Sequence, residues 1–166
     1  MNNDLINSIR DAQRHYQEND AFLSRLKKRK PKDLDHFVNE LHHKVFSKIN
    51  CLECAICCRT LGPRLMHKDI SKLTKFLNLN HATFIEQYLI IDEDQDYVFK
   101  SMPCPFLSSD NYCSVYGVRP KACAEYPHTD RRKFYQILDL TLKNTLICPA
   151  VFEIINGLKR EYGGKI

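Results

Sequence analysis

The feature that most restricts this chain is its eight cysteines, four of which lie within one segment of eight residues. The segment CLECAICC covers residues 51–58 and has the spacing C-x2-C-x2-C-C. The other four are far apart in sequence: Cys104, Cys113, Cys123 and Cys148. Clustered thiols bind metals or do redox chemistry in a reducing compartment, and form disulfides in an oxidising one. The pattern therefore limits the chain to one of these three uses.

The start of the chain favours the reducing compartment. The first residues, MNNDLINSIR, are polar and carry Asp4, so they do not resemble the apolar centre of a secretory signal. No apolar run approaches the roughly 18 residues that a membrane span needs. We therefore expect a cytoplasmic protein without a membrane partner, in which the thiols stay reduced and serve metal rather than structural disulfides.

The positive charge of the chain is explained by the same chemistry. The formal net charge is +5 with cysteines counted as neutral. Eight metal-bound thiolates together with two dications would bring the holo protein close to neutrality. Two basic runs, residues 27–32 and 131–133, have no accompanying pattern of stacking aromatic residues. Taken singly, each is typical of a solvated helix end or linker, and the sequence argues against a nucleic acid partner.

Apolar residues at helical spacing predict a mainly α fold. Within residues 1–50 they predict two helices, separated near Pro31, with Asp33 as the candidate cap of the second. Helical spacing returns over residues 70–77, and a short helix is predicted over residues 82–89. The stretch YVFKS, which begins at residue 97, is a candidate strand.

The part of the chain that follows Cys104 is rich in proline and is predicted to form loops. Loops lack repeating backbone hydrogen bonds, so another interaction has to hold them, and metal would do so. We expect a small loop-rich metal-binding core braced by N- and C-terminal helices. The predicted parts are a helical extension over residues 1–50, a metal-binding domain with a C-terminal helix over 51–158, and a tail over 159–166.

The cysteine spacing is compatible with zinc and with an iron–sulfur cluster. A C-x2-C-x2-C opening is typical of ferredoxin-type chains, although their x3-C-P ending is missing here. Adjacent side chains point in different directions, so Cys57 and Cys58 are not expected to bind one small ion together. A two-site division would place Cys51, Cys54 and Cys57 with one distal thiol, and Cys58 with the other three. A single site with several uncoordinated thiols is the alternative.

The third part of the chain reads CPFLSSDNYCSVYGVRPKACAEYP, and with CLECAICC it resembles the YkgJ-type cysteine-cluster family, a zinc- or iron-chelating domain. The matching positions are Cys51, Cys54, Cys57 and Cys58; Asp69; Cys104, Phe106 and Leu107; Cys113, Val115 and Tyr116; Arg119 and Pro120; and Cys123, Tyr126 and Pro127. The resemblance covers about residues 51–128. It departs from the family at Ala124, where an arginine is frequent.

The resemblance implies metal chelation, and the pattern makes all eight cysteines candidate ligands. Beside them, Arg119 is a candidate for stabilising thiolates, and Tyr116 for donating a hydrogen bond to a cluster sulfur. A structural role is the alternative for both side chains. No catalytic residue is identified.

Three functions fit these observations. The first is a metal-binding protein that holds zinc or an iron–sulfur cluster and meets a protein partner through its N-terminal helices. The second is a metalloenzyme with a redox reaction or a protein N-methylase-like reaction at an open cluster site; the resemblance suggests the latter, because a related cysteine cluster occurs in flagellin lysine N-methylases. The chain has five glycines and shows no Gly-rich turn of the kind that cradles a nucleotide. The third is metal storage or delivery. Whether the protein is an enzyme stays open.

Overall fold

A computed structural model describes residues 3–165 and divides the chain into two compact units. Unit 1 contains the described residues up to 54 together with those from 127 onward, and unit 2 contains residues 55–126. The described residues form ten α-helices and one small sheet, which confirms the predicted mainly α fold. These units are defined by which residues pack together. The domain division predicted from the sequence is a separate matter and stays a prediction.

Unit 1 is helical throughout. Its helices are α1 (Asn3–Arg14), α2 (Tyr16–Arg29), α3 (Leu34–Phe46), α4 (Cys51–Cys54), α9 (Leu138–Asn144) and α10 (Pro149–Tyr162). The prediction of two helices within residues 1–50 was wrong, because His15 interrupts the first of them. His15 has φ −95° and ψ 12°, which lie outside helical geometry, and a new helix begins at the next residue.

The predicted break near Pro31 is present. Helix α2 ends at Arg29, and Lys30 takes the left-handed conformation at φ 47° while its N–H donates to Leu26 O. Helix α3 begins at Leu34, so Asp33 stands at the predicted cap position. The side chain of Asp33 makes no capping hydrogen bond, however.

The core of unit 1 is formed by side chains from helices α2, α3, α9 and α10 and from the 3-10 turn Phe134–Ile137. Its fully buried members include Leu26, Val38, Phe134, Leu138, Val151, Ile154, Ile155 and Leu158. Each such side chain stabilises the fold by about 1.5–3 kcal/mol relative to an exposed one. Helices α3 and α10 approach closely at Gly157, where a Cβ atom would lie 2.7 Å from Leu41 Cδ2.

Unit 2 has less regular structure. Its elements are α5 (Ile56–Thr60), α6 (His67–Leu77), α7 (His81–Tyr88), β1 (Leu89–Ile91), β2 (Tyr97–Phe99) and α8 (Lys121–Glu125). The two strands pair antiparallel, with Leu89 opposite Phe99 and Ile91 opposite Tyr97. Strand β2 lies at the predicted stretch YVFKS. Strand β1 was missed, because its apolar residues directly continue the helical pattern of α7.

The core of unit 2 is small and aromatic. The Phe106 ring lies 5.1 Å from the Tyr88 ring and 5.6 Å from the Phe99 ring, centroid to centroid. Between β2 and α8, the described chain forms turns and one 3-10 turn, Tyr116–Val118, which confirms the loop prediction. This loop segment carries two of the cysteines and packs Phe106 and Val115 into the core.

No helix among residues 3–165 combines the length and the apolar character that crossing a bilayer requires.

Candidate metal centre

The two units divide the eight cysteines, all of which are described and all of which are thiols. Unit 2 contains Cys57, Cys58, Cys104, Cys113 and Cys123. Unit 1 contains Cys51, Cys54 and Cys148. The division falls inside the CLECAICC segment, between Cys54 and Ala55.

Cys104 and Cys113 each begin a tight turn of the same construction. Leu107 N–H donates to Cys104 O at 3.0 Å, and Tyr116 N–H donates to Cys113 O at 3.1 Å. In each turn, the N–H of the residue two positions on, Phe106 or Val115, donates a hydrogen bond to the cysteine sulfur. The two turns are joined by a bridge between Leu107 and Cys113. Together they present two thiols from one hydrogen-bonded loop.

These turns give a physical reason for the motifs C-x-F-L and C-x-V-Y. The third residue of each motif, Phe106 or Val115, is 6% or 2% exposed and anchors its turn in the apolar core. The same residue directs its backbone N–H at the sulfur. A hydrogen bond from N–H to sulfur favours the thiolate over the thiol, and thiolate is the form that binds metal. In each motif, one residue therefore anchors the turn through its apolar side chain and stabilises the thiolate through its backbone N–H.

Cys58 and Cys123 reach the same part of unit 2 from short helices. Helix α5 carries Cys58, whose carbonyl accepts from Cys104 N–H at 2.8 Å. Helix α8 carries Cys123, and the buried carboxylate of Asp69 holds the start of this helix. One Asp69 oxygen accepts from Lys121 N–H at 3.0 Å, and the other accepts from Met66 N–H at 3.0 Å. Asp69 therefore ties α6 to the helix that presents Cys123.

The four thiols lie close enough to affect one another's ionisation. Burial, chiefly, raises the pKa of Cys104 to about 11 and that of Cys123 to about 12, and it also raises the pKa of Cys113. Negative charge on neighbouring sulfurs adds to each shift, and Cys58 contributes to all three. We call Cys58, Cys104, Cys113 and Cys123 the four-thiol group.

Cys57 and Cys58 follow each other on α5 with their sulfurs 4.0 Å apart. A hydrogen bond from Cys57 is the main reason that the pKa of Cys58 falls to about 7; burial opposes this effect and the positive charge of Arg59 adds to it. Cys58, rather than Cys57, influences Cys104, Cys113 and Cys123 electrostatically. Assignment of Cys57 to the set with Cys51 and Cys54 stays a prediction from spacing.

Arg119 and Tyr116 stand beside the four-thiol group. The Arg119 guanidinium lies 3.9 Å from the centre of the Tyr116 ring, and Nη1 donates to Tyr116 O at 2.8 Å. The positive charge of Arg119 acts to lower the pKa of both Cys113 and Cys123, against the larger effect of burial. Arg119 thus braces the loop through Tyr116 and also places a cation near two thiols.

In unit 1, Cys148 stands at the N-cap position of α10. Burial raises the pKa of Cys148 to about 12, negative charge on Cys51 and Cys54 adds to this, and N–H donation from Ala150 and Val151 opposes it. Cys51 and Cys54 lie on α4. We call these three residues the three-thiol group.

Sulfur ligands of this kind suit soft or borderline metals such as zinc and iron. Within residues 3–165, no set of three or more His, Cys, Asp or Glu side chains is already drawn together around a point where a metal ion would sit. Metal binding therefore requires the thiols of a group to converge further. The donor set fits a thiolate-bound metal, because a cation would offset both the burial, which is the main cause of the raised pKa of these thiols, and the smaller repulsion between their charges.

The sequence named all eight cysteines as candidate ligands, which stays a prediction, and it did not indicate which contacts hold them in position. It gave Asp69 only as a position in a motif, and the motif was the available signal. The sulfur-directed N–H groups of Phe106 and Val115 have no side-chain signature, because any residue except proline supplies a backbone donor. The apolar side chains of these two residues were the sequence signal of the turns.

Comparison with known proteins yields one family. No curated protein and no solved structure matches the chain significantly. Residues 50–146, which are more than half of the chain, match the family model CxxCxxCC, described as "Putative zinc- or iron-chelating domain". This match confirms the resemblance to a cysteine-cluster family and supports metal binding. The chain belongs to the CxxCxxCC family.

Proposed function

We propose that this protein binds zinc or an iron–sulfur cluster through cysteine thiolates, with the four-thiol group of unit 2 as its principal site. The observation that carries the proposal is that Cys58, Cys104, Cys113 and Cys123, from three separate parts of the chain, lie near enough for their charges to affect one another's ionisation. Four thiolates complete the tetrahedral coordination of a structural zinc, and they equally satisfy the four irons of a cubane cluster. Such a closed site supports a structural or electron-transfer role.

The surroundings of the four-thiol group support the binding of a cation. Backbone N–H groups of Phe106 and Val115 donate to two of the sulfurs, and Arg119 places positive charge near Cys113 and Cys123. Donors of this kind fix the orientation of thiolate ligands and tune the basicity or the potential of the site. In this proposal Arg119 tunes the site directly, while Tyr116 acts through its contact with Arg119.

The three-thiol group of unit 1 is proposed as part of a second site. Cys148 receives N–H groups at the start of α10, as a thiolate ligand would require, and Cys51 and Cys54 have the x2 spacing of a metal knuckle. All eight cysteines are kept as proposed ligands, with Cys57 placed by spacing alone. Binding would be coupled to folding, because the ligands of each group are dispersed in an unfolded chain.

The proposal is tested by purifying the full chain anaerobically and measuring iron, sulfide, zinc and the visible spectrum. Equal iron and sulfide with a brown colour identifies a cluster, and zinc in a colourless protein identifies zinc. The variant Cys123→Ser should lose one centre's share of the metal. Ala124→Ser is the matched control, since it adds a hydroxyl to the same helix and removes no thiol. Absence of both metals from the wild type, or unchanged metal in Cys123→Ser, would overturn the proposal.

A further inference from the structure

Two basic runs that are about a hundred residues apart in sequence come together on unit 1. Lys30 Nζ lies 4.9 Å from the centre of the Tyr135 ring, which is two residues beyond the second run. Asp35 accepts from Lys133 N–H at 2.6 Å and from Phe134 N–H at 2.9 Å. These contacts fix the loop of the second run against the start of α3.

The result is one surface with a concentration of positive charge. We call it the basic surface; its members are Lys28, Arg29, Lys30, Lys32, Arg131, Arg132 and Lys133, all exposed. None of the seven takes part in any salt bridge found among the described residues. Two of the nearby acids have other partners: Asp139 pairs with Lys27 at 2.6 Å, and Asp35 is occupied by the two N–H groups. The seven cations are therefore open to solvent, although the exposed acids Asp33 and Asp130 lie next to the two runs and reduce their combined charge from +7 to +5.

The loop geometry holds this charge in place at some cost. Lys30 and Lys133 both adopt the left-handed conformation, with φ 47° and 57°. That conformation is unfavourable for residues with a Cβ atom, and glycine or asparagine is usual at such positions. Lysine at both positions keeps two cations where the backbone would favour a residue without charge.

We propose that the basic surface binds the phosphate backbone of nucleic acid without reading its sequence. Interfaces with nucleic acid are strongly cationic and polar, and phosphate contacts from Arg and Lys supply most of their non-specific affinity. Each run alone is ordinary, and the sequence therefore argued against this partner. The fold changes that expectation, because it joins the two runs into one footprint.

Two other polyanionic partners fit the surface less well. The core of a protein interface is depleted of charge and contains large apolar or aromatic anchors. A membrane-surface site likewise inserts large apolar side chains next to its cations. Among the described residues of unit 1, Leu140 is the one large apolar side chain classed as exposed. The observations therefore favour phosphates over an acidic peptide or an anionic lipid surface.

The test measures the binding of the full metal-loaded chain to a fluorescein-labelled RNA of about 20 nucleotides, which exceeds the site size of a typical single-strand binding fold. Fluorescence anisotropy is recorded between about 50 and 200 mM salt. Four to seven phosphate contacts predict a slope of about −3 to −5 in a plot of log affinity against log salt. Poly-glutamate and vesicles of anionic lipid are measured in parallel.

The variants take one residue from each run, since the proposal requires both. Lys32→Glu and Arg132→Glu should each weaken RNA binding at least fivefold at 0.1 M salt, given a slope of about 0.7 per phosphate, and the double variant at least 25-fold. The matched control is Lys72→Glu with Lys75→Glu, which makes the same change in net charge on exposed residues of α6. This control should change the affinity less than twofold.

Three outcomes would overturn the proposal. The first is RNA affinity that is the same in the Lys32/Arg132 double variant as in the wild type. The second is an equal loss in the control, which would assign binding to net charge. The third is binding to poly-glutamate or vesicles with none to RNA. Melting temperature and metal content are measured for each variant, so that a folding defect is recognised. These two readouts also separate failure of this proposal from failure of the metal proposal.

Discussion

The two units of this protein are stabilised in different ways. Unit 1 buries thirteen apolar side chains in one cluster, while unit 2 buries eight. Unit 2 consists of residues 55–126, close to the size of about 70–80 residues below which an apolar core alone rarely stabilises a fold. The thiols follow the opposite trend, since unit 2 contains five of the eight.

This difference indicates that the apolar core is the main source of stability in unit 1, while the cysteines contribute more in unit 2. In unit 1, helices satisfy most backbone donors and acceptors and bury a continuous core, which can support most of the fold without metal. In unit 2, the segment between β2 and α8 makes few repeating hydrogen bonds, and its backbone is held by single turns, two of which begin with cysteine. We therefore expect metal to be a folding requirement for unit 2 and a minor contribution for unit 1.

The strongest way to break this comparison is to remove the metal. Structural zinc in small sites stabilises the folded state by about 10–16 kcal/mol, which exceeds the stability of a typical domain. Chelation should therefore abolish amide protection over residues 55–126. Helices α2, α3 and α10 should keep theirs. Hydrogen exchange resolved by mass spectrometry measures both, and uniform loss or uniform retention across the two units would contradict the difference in dependence.

The second test compares the adjacent thiols. Cys58→Ser should empty the four-thiol group, because a tetrahedral site with three thiolates and one hydroxyl binds metal far more weakly. Cys57→Ser should leave the metal of that group in place. Metal content and competition with a chromophoric chelator measure the difference. Equal loss from both variants would show that the grouping around Cys58 is incorrect.

The third test reverses the comparison by damaging the apolar core of unit 1. Ile154 is fully buried, and Ile154→Ala should lower the free energy of unfolding by about 2–5 kcal/mol. Because no ligand of the four-thiol group lies in unit 1, the metal of that group should remain bound under native conditions. Thermal melting and metal analysis on the same sample check this. An exposed substitution in the same helix, Arg160→Ala, is the control.

Most of unit 1 could be predicted from the sequence, because its order comes from side-chain periodicity. Helices α3 and α10 were recognisable from their apolar spacing. The break at His15 was not, since histidine carries no strong helix-ending signal and the helical pattern continues on both sides. Strand β1 was missed for a similar reason: three apolar residues after a helix fit either structure.

The candidate site was predictable to a different extent. The cysteine motifs gave the family, because metal chemistry restricts residue type strongly, and they named candidate ligands whose role stays a prediction. Which thiols lie together depended on tertiary structure, as in the joining of the Cys104 and Cys113 turns by the bridge at Leu107. The contact of Asp69 with Lys121 N–H joins residues that are 52 positions apart, and no local pattern reports it.

The fourth test concerns that contact. Asp69→Ala removes two hydrogen bonds to a carboxylate, each of which contributes about 1.5–3 kcal/mol when the acceptor is charged. We expect lower stability of unit 2 and weaker metal binding, because α8 would no longer hold Cys123 in position. Ser71→Ala, which removes an exposed bond to His67 O on the same helix, is the control. Unchanged metal affinity in Asp69→Ala would limit its role to capping α6.

The smallest expected effect concerns pH, which should lower the stability of unit 1 and the metal binding of unit 2 through different groups. His42 in unit 1 has a pKa below the usual 6.5, because burial disfavours its charged form and His43 adds repulsion, while Asp130 opposes both. Well above pH 6.5 the ring is neutral in both the folded and the unfolded state, so there it causes no pH dependence. As the pH falls below 6.5, the unfolded chain takes up the proton more readily, and stability decreases towards the lower pKa of the folded state.

His42→Gln should reduce this loss of stability at acid pH in the unfolding of unit 1, whereas His43→Gln should largely retain it. The change is measured by unfolding the protein in urea between pH 5 and 7.5 and monitoring α10 by hydrogen exchange. If the stability of unit 1 decreases with falling pH as steeply in His42→Gln as in the wild type, groups other than His42 cause its acid sensitivity. Metal loss from unit 2 on acidification should be the same in both variants, because it follows from protonation of the thiolates.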